Sequence, residues 1–310
     1  MASPERYAIH QDFKKFPVMN FRFNSVVIGF FNLLLRVTRL FRTRSRTVTN
    51  TRHTIPAQGG GRFEVRVFTP QGVKADAPAL IYYHGGAFAM TFGSIHLENA
   101  ERYADSTGCV TVFVCYRLAL KHPFPHGFND AYAALQWVVG NAGKLGVDTT
   151  RIAVGGDSAG GALAAGVAQR ARDEGLVNLC GQMLIYPVLD SRCNTASARE
   201  FVDVPVFSAV SNRRMWEMYL RDYGTDATPP YAAPGLGDVN KLPPAYIETA
   251  EFDPLRDEGL AYAGALAAAG NAAQLNETSG TIHGYDGVAK NETAVASMHK
   301  RIEFLRSVFA

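Results

Sequence analysis

The sequence predicts an α/β protein with a mostly parallel central sheet and helices on both faces. Three observations lead there. From about residue 63 onward, strand-like and helix-like segments alternate, the order that gives parallel strands with crossover helices. Several strand-like runs are short and continuously apolar, as strands buried on both faces are. The length of 310 residues, with 47% hydrophobic and 19% charged content, suffices for one large domain or two modest ones. The 29 Gly, 15 Pro and 11% aromatic content exclude a disordered, coiled-coil or collagen-like chain.

In chain order, Phe63–Thr69 alternates apolar and polar residues like a half-buried strand. Ala79–Tyr83 and Cys109–Tyr116 are apolar runs rich in Val, Ile and Tyr, which fit buried strands. Asn129–Asn141 reads as a helix with Ala131, Leu135 and Val138 on one face. A strand at Arg151–Gly155 and an Ala-rich helix from Ala159 to about Asp173 follow. Leu179–Tyr186 and Ala245–Ala250 are further strands, Leu260–Ala269 a helix and Ala272–Thr278 a last strand. Asn291–Phe309 closes the chain as a helix with Val295, Met298, Ile302 and Leu305 in register. Residues 190–240 break the alternation and carry Phe207, Trp216, Tyr219, Tyr223 and Tyr231, so they read as an insertion. Parallel sheets bind ligands beyond the carboxyl ends of their strands, so functional residues are expected to follow strands.

A net charge of +3 conceals an asymmetry. Residues 1–62 carry 11 Lys and Arg against 2 Asp and Glu, a net +9; the remaining 248 carry 20 against 26, a net −6. Within the basic part, Val26–Leu35 is ten residues of apolar character, bounded by Arg22 and Arg36 and followed by Arg39, Arg42, Arg44 and Arg46. Spanning a bilayer takes ~20 such residues. A secretory signal would lie nearer Met1 and precede a small-residue cleavage site. Two readings stay open: a helix that packs its apolar side on the rest of the protein, or one that touches an anionic membrane through residues 16–46. Cys109, Cys115, Cys180 and Cys193 lack CxxC spacing and read as buried thiols, not as a disulfide framework or zinc site. The expectation is a cytoplasmic protein, with membrane association as the alternative and no nucleic-acid partner.

Gly156-Asp157-Ser158-Ala159-Gly160 satisfies G-x-S-x-G between a predicted strand and a predicted helix. There a serine sits on a sharp turn, and the helix N-terminus offers the Ala159 N–H to a developing oxyanion. A serine hydroxyl needs a general base near pH 7, usually a histidine oriented by a carboxylate. In hydrolases that carry this turn the order is Ser, then Asp or Glu, then His. Of the eight histidines only His283 and His299 follow Ser158. His299 falls within the closing helix, whereas His283 lies in a Gly-flanked loop after the last strand. Asp253 ends the strand Ala245–Ala250 and precedes Pro254. Glu251 is its nearest rival, Asp257 and Glu258 read as first-turn charges of the next helix, and Asp286 is close to His283 in sequence. His84-Gly85-Gly86-Ala87-Phe88 follows another strand, and its small residues permit a loop whose N–H groups complete an oxyanion hole. His84 and Asp157 are expected to support that loop rather than to act as bases.

From about residue 63 to the end the chain resembles the hormone-sensitive lipase-like esterases, the bacterial family IV branch of the α/β-hydrolases. The resemblance rests on HGGAF at 84–88, YRLALKHPFP at 116–125, GDSAGG at 156–161, YPVLD at 186–190, LPPAYIETAEFDPLRDEG at 242–259 and HGY at 283–285. It implies a triad of Ser158, Asp253 and His283. It also implies an oxyanion hole from the N–H groups of Gly86, Ala87 and Ala159, with Gly85 holding the loop. Residues 1–50 and 190–230 would form a helical cap over an α/β-hydrolase domain of residues 51–189 and 231–310. Phe88, Phe207, Trp216 and Tyr219 are candidates for the substrate pocket. Two positions depart from the family: Ala87 stands where a third Gly is usual, and Lys121 where an acidic residue is usual. The expected function is a serine carboxylester hydrolase for small-molecule esters of short to medium acyl chains, with no metal or organic cofactor. The alternatives are a membrane-surface lipid or lipophilic amide hydrolase and a non-catalytic small-molecule receptor. Some relatives form homodimers through the edge strand near Ala272–Thr278.

Overall fold

The N-terminal segment builds a single helical turn, α1 (Gln11–Lys14), and then α2 (Ser25–Thr38). Asn24 starts α2 by accepting the Val27 N–H at 2.9 Å, an ordinary side-chain N-cap. The computed structural model describes residues 6–43, 45–73, 75–223 and 228–310. Arg44, and residues 1–5 and 224–227 of the two expected cap stretches, lie outside the described residues. After α2 come β1 (Val48–Pro56), β2 (Arg62–Pro70), β3 (Ala77–Tyr83), α3 (Ser94–Thr107), β4 (Val110–Cys115), α4 (His126–Gly140) and α5 (Ala142–Leu145). The second half runs β5 (Val147–Asp157), α6 (Ala159–Glu174), β6 (Gly181–Ile185), α7 (Ala196–Glu200), α8 (Ala209–Tyr219), β7 (Ala245–Phe252), α9 (Arg256–Ala268), β8 (Ala273–Ile282) and α10 (Glu292–Phe309).

The strands form one sheet of eight in the order β1-β2-β4-β3-β5-β6-β7-β8. β1 with β2 and β2 with β4 are antiparallel; every other neighbouring pair is parallel. Alternate residues of the central strands feed two separate cores, as a period of two requires. Ala79, Ile81 and Tyr83 of β3 face a core with Leu135 of α4, Leu163 of α6 and Leu266 of α9. Leu80 and Tyr82 face the other, with Leu97 and Tyr103 of α3 and Met298, Ile302 and Leu305 of α10. Helices therefore cover both faces. β8 is an edge strand, the position that a homodimer contact there would need.

Three expectations need correction, and two elements had none. β1 and α3 are real elements that the sequence pattern did not reveal. α9 begins at Arg256, four residues before the expected Leu260. Val295 is 41% exposed, so the inward register of α10 holds only at Met298, Ile302 and Leu305. All four cysteines are free, but only Cys109 is buried; Cys115, Cys180 and Cys193 are half-buried.

The two stretches that break the strand–helix alternation meet each other. The Val206 N–H donates to the Pro17 carbonyl at 3.0 Å, the Phe21 N–H to Ser211 Oγ at 2.9 Å, and the Tyr7 hydroxyl to Asp203 at 3.0 Å. Among the described residues no helix is long and apolar enough to cross a membrane.

Candidate active site

Ser158 follows β5 and heads α6 with φ +55° and ψ −119°, a backbone conformation that costs energy for any residue with a Cβ. Its neighbours explain how the turn closes. A Cβ on Gly156 would meet Gly160 backbone at 2.4 Å, and one on Gly160 would meet the Tyr83 carbonyl at 1.9 Å. Only glycine fits at either position. The Ser158 N–H donates to the Ile185 carbonyl at 2.8 Å, which ties the turn to the end of β6.

His283 follows β8, and its Nε2 lies 2.8 Å from Ser158 Oγ. Its Nδ1 lies 2.7 Å from Asp253 Oδ2, at the end of β7. A carboxylate only accepts, so Nδ1 carries the proton and the bare Nε2 accepts from the serine hydroxyl. Asp253 is fully buried and also accepts the Leu255 N–H at 2.9 Å, which fixes its carboxylate. The imidazole is wedged between the Phe207 ring at 4.8 Å and the Tyr186 ring at 4.9 Å. Glu251, the rival carboxylate, is occupied elsewhere, accepting the Gly280 N–H at 2.6 Å. Asp286 accepts the Tyr186 hydroxyl at 2.6 Å and pairs with Arg301 at 2.7 Å. Asp257 is taken by the Ser197 N–H at 2.7 Å, and His299 is exposed. Glu258 stands in the first turn of α9 but is buried: its Oε1 accepts the Leu189 N–H at 2.6 Å and its Oε2 has no partner. Burial pushes its carboxyl well above the usual carboxylate range.

The loop after β3 passes through three consecutive left-handed residues, Gly86 (φ +117°), Ala87 (φ +52°) and Phe88 (φ +57°). Ala87 thus adopts the conformation that a third glycine would take more easily. Among the described residues no backbone carbonyl outside helices and strands accepts the N–H of Gly86 or Ala87, which leaves both available to a ligand. Asp157 anchors the loop by accepting the Gly85 N–H at 3.0 Å and the Tyr82 hydroxyl at 2.8 Å; a Cβ on Gly85 would meet the same carboxylate at 2.2 Å. His84 donates from Nδ1 to the Gly85 carbonyl at 2.6 Å and stacks on Tyr116 at 4.5 Å. Burial, helped by His96, pulls His84 down to about 3, so the ring is neutral. Lys121 is exposed and makes no ion pair among the described residues.

A cavity of about 440 Å³ opens beside Ser158, His283, Gly86 and Ala87. Phe207 lines it. Phe88, Trp216 and Tyr219 do not: they are buried behind the loop, where Phe88 stacks face to face on Tyr219 at 3.7 Å. The Phe88 ring packs on Trp216 and Tyr219 of α8. The N-terminal segment adds Phe13, Phe16, Phe21 and Phe31 to the apolar wall.

Sequence reasoning missed His96, on the first turn of α3. It lines the cavity, and its Nε2 lies 3.5 Å from Asp157 Oδ2. Its Nδ1 accepts the Gly93 N–H at 3.1 Å, which places the proton of the neutral ring on Nε2, toward Asp157. Burial works to lower its pKa, but Asp157 and, farther off, Asp286 override this and hold it above the ordinary histidine value. Asp157 is correspondingly held below the ordinary carboxylate value, although burial opposes this too. The capping bond needs a bare Nδ1 while the ion pair favours protonation, so the two compete for the ring.

Residues 80–287 match a family described as alpha/beta hydrolase fold. Carboxylesterase NlhH of Mycobacterium tuberculosis is 42% identical over 228 residues, which cover 71% of this chain and 70% of that relative. Among solved structures, esterase LipW from Mycobacterium marinum superimposes with a TM-score of 0.89 at 32% identity, covering 97% of this chain and 96% of that one. A bacterial heroin esterase gives 0.87 at 34% identity, covering 92% of each.

Proposed function

The chain belongs to the alpha/beta hydrolase fold family and is a carboxylesterase, and from that premise we propose that it hydrolyses esters of short to medium acyl chains through Ser158, His283 and Asp253. The observation that carries this reading is the pair of contacts made by His283, 2.8 Å to Ser158 Oγ and 2.7 Å to Asp253 Oδ2. Ser158 attacks the ester carbonyl as His283 Nε2 takes its proton, and Asp253 stabilises the resulting imidazolium without itself becoming protonated. The N–H groups of Gly86, Ala87 and Ala159 stabilise the tetrahedral oxyanion, with the loop held by Gly85, His84 and Asp157. His283 then protonates the departing alcohol. Water activated by the same imidazole attacks the acyl-enzyme and releases the carboxylic acid.

Residues 1–50 and 190–230 act in this reading as a cap over a catalytic domain of residues 51–189 and 231–310. Phe13, Phe16, Phe21 and Phe31 from the first stretch and Phe207 from the second supply an apolar wall, which suits an acyl chain. The cavity volume of about 440 Å³ favours small and medium esters over long ones. Carboxylesterase relatives speak against the receptor alternative.

A series of chromogenic esters from acetyl to palmitoyl tests the proposal, run with the wild type and with Ser158→Ala. Expected is the highest kcat/KM among butyryl to octanoyl esters and a fall of about ten-thousand-fold or more in the variant. Turnover retained by Ser158→Ala would remove the triad assignment. A steady rise of kcat/KM up to palmitoyl would remove the chain-length reading.

A further inference from the structure

α2 has two unlike faces. On the inner one Ile28 is buried, Asn32 Oδ1 accepts the Thr91 N–H at 2.7 Å, and Phe31 lines the catalytic cavity. The outer face is apolar and uncovered. Val26, Phe30, Leu33 and Val37 recur at helical spacing, joined by Leu34 and, in the 3-10 turn Arg39–Phe41 that follows, by Leu40 and Phe41. Val26, Phe30, Leu40 and Phe41 are 80, 58, 79 and 81% exposed. Of thirteen exposed large apolar side chains among the described residues, seven lie between 26 and 41. Single exposed apolar residues are ordinary on a protein surface, whereas a contiguous ridge marks a contact.

Charge identifies the occupant. No Asp or Glu occurs between Asp12 and Glu64. Arg22, Arg36, Arg46 and Arg52 are exposed and make no ion pair among the described residues. A cleft of about 980 Å³ runs between the α2 end and β1, with Leu33, Val37 and Leu40 on its rim and Arg36, Arg39 and Arg42 beside them. Arg42 pairs with Glu101, so the exposed arginines carry the charge that faces outward. Facing copies of this ridge would set one arginine belt against the same belt, which disfavours a self-contact. A neutral apolar partner would leave the arginines unanswered. An anionic lipid surface satisfies both, taking the ridge into the acyl–headgroup boundary and the guanidinium groups onto headgroup phosphates.

We propose that the outer face of α2 docks this protein on anionic membranes. Since the inner face of the same helix lines the catalytic cavity, a docked protein draws its esters from the lipid phase; that consequence rests on the esterase reading, and the docking does not.

Full-length protein carrying Ser158→Ala is sedimented with phosphatidylcholine vesicles, with and without phosphatidylglycerol, at low and high salt. Binding is expected only with phosphatidylglycerol, and it weakens with salt. Two variants follow, Val26→Ser/Phe30→Ser/Leu40→Ser/Phe41→Ser and Arg36→Gln/Arg46→Gln/Arg52→Gln. Neutralising three arginines lowers partitioning about a hundredfold at ~1 kcal/mol each. The ridge variant also fails to sediment, while both variants keep the wild-type thermal midpoint and are therefore folded. Equal binding to neutral vesicles, undiminished binding by either variant, or no binding at all overturns the proposal. So does a lipid-free dimer in sedimentation velocity that the ridge variant dissolves, since the face would then be a self-contact. Absent turnover of a soluble butyryl ester by the wild type, with vesicle binding intact, would instead count against the esterase reading alone.

Discussion

Ser158, His283 and Asp253 sit at the carboxyl ends of three different strands, which makes them legible as candidates in the sequence while their surroundings are not. The serine turn announces itself because close backbone packing forbids any residue but glycine at 156 and 160. His96 gave no such signal. It lies 62 residues from Ser158 on a helix that the sequence pattern did not reveal, and only the fold brings it to Asp157. Its chemistry makes a pH prediction. The folded-state pKa of His96 is raised, so its contribution to stability is full below its ordinary value of 6.5 and is lost as pH rises through the folded value. Asp157 is depressed, so its contribution is present above 3.8 and is lost on acidification through its folded value. Between those limits both partners are charged. Urea unfolding of the wild type from about pH 6 to pH 9 should therefore show a declining stability that His96→Gln flattens. The same slope in the variant would mean that another group titrates.

Among the elements, β3, β4 and residues 152–154 of β5 were legible because burial on both faces leaves them largely apolar. β1 was not: as an antiparallel edge strand it buries only Val48 and Ile55 among its nine residues, so no alternation appears. α3 hides for another reason, burying Asn99 and Glu101 among Leu97, Ala100, Tyr103 and Ala104, which interrupts the apolar stripe. The docking of α10 was also invisible beyond its apolar register. Arg301 is fully buried and bonds Glu248 on β7 through two guanidinium nitrogens, Nε at 3.1 Å, while its Nη1 reaches Asp286. Glu248 in turn accepts the Tyr246 and Tyr285 hydroxyls at 2.7 and 2.8 Å. Removing one partner of such a pair strands the other in a low dielectric. Arg301→Met should accordingly cost about 3–5 kcal/mol in urea unfolding. A loss under about 1 kcal/mol would show that Glu248 becomes neutral without penalty.

For the molecule as a whole, the basic and apolar first fifth of the chain has two unlike faces in one piece of structure. Its outer arginines and the α2 ridge face solvent, while Tyr7, Ile9, Phe13, Phe21 and Ile28 are buried. Tyr7 packs against Phe201 and Phe252 at 5.5 and 5.6 Å, and Phe13 against Tyr285 at 6.2 Å, so the segment covers the ends of β7 and β8 where Asp253 and His283 stand. Deleting residues 1–46 would uncover those aromatics and open the cavity wall formed by Phe13, Phe16, Phe21 and Phe31. Each large apolar side chain moved from a core to water costs about 1.5–3 kcal/mol, and a domain has only about 5–15 kcal/mol in reserve. The ordering entropy that the deleted segment no longer loses offsets part of this, yet the newly exposed patch on the catalytic half remains. The truncated chain should therefore unfold at least about 10 °C below the full-length protein in a thermal melt, and should aggregate as it does so. A truncated protein with an unchanged midpoint and unchanged turnover of soluble esters would show that the segment is an appendage, and would leave the proposed lipid docking as the one role still open to it.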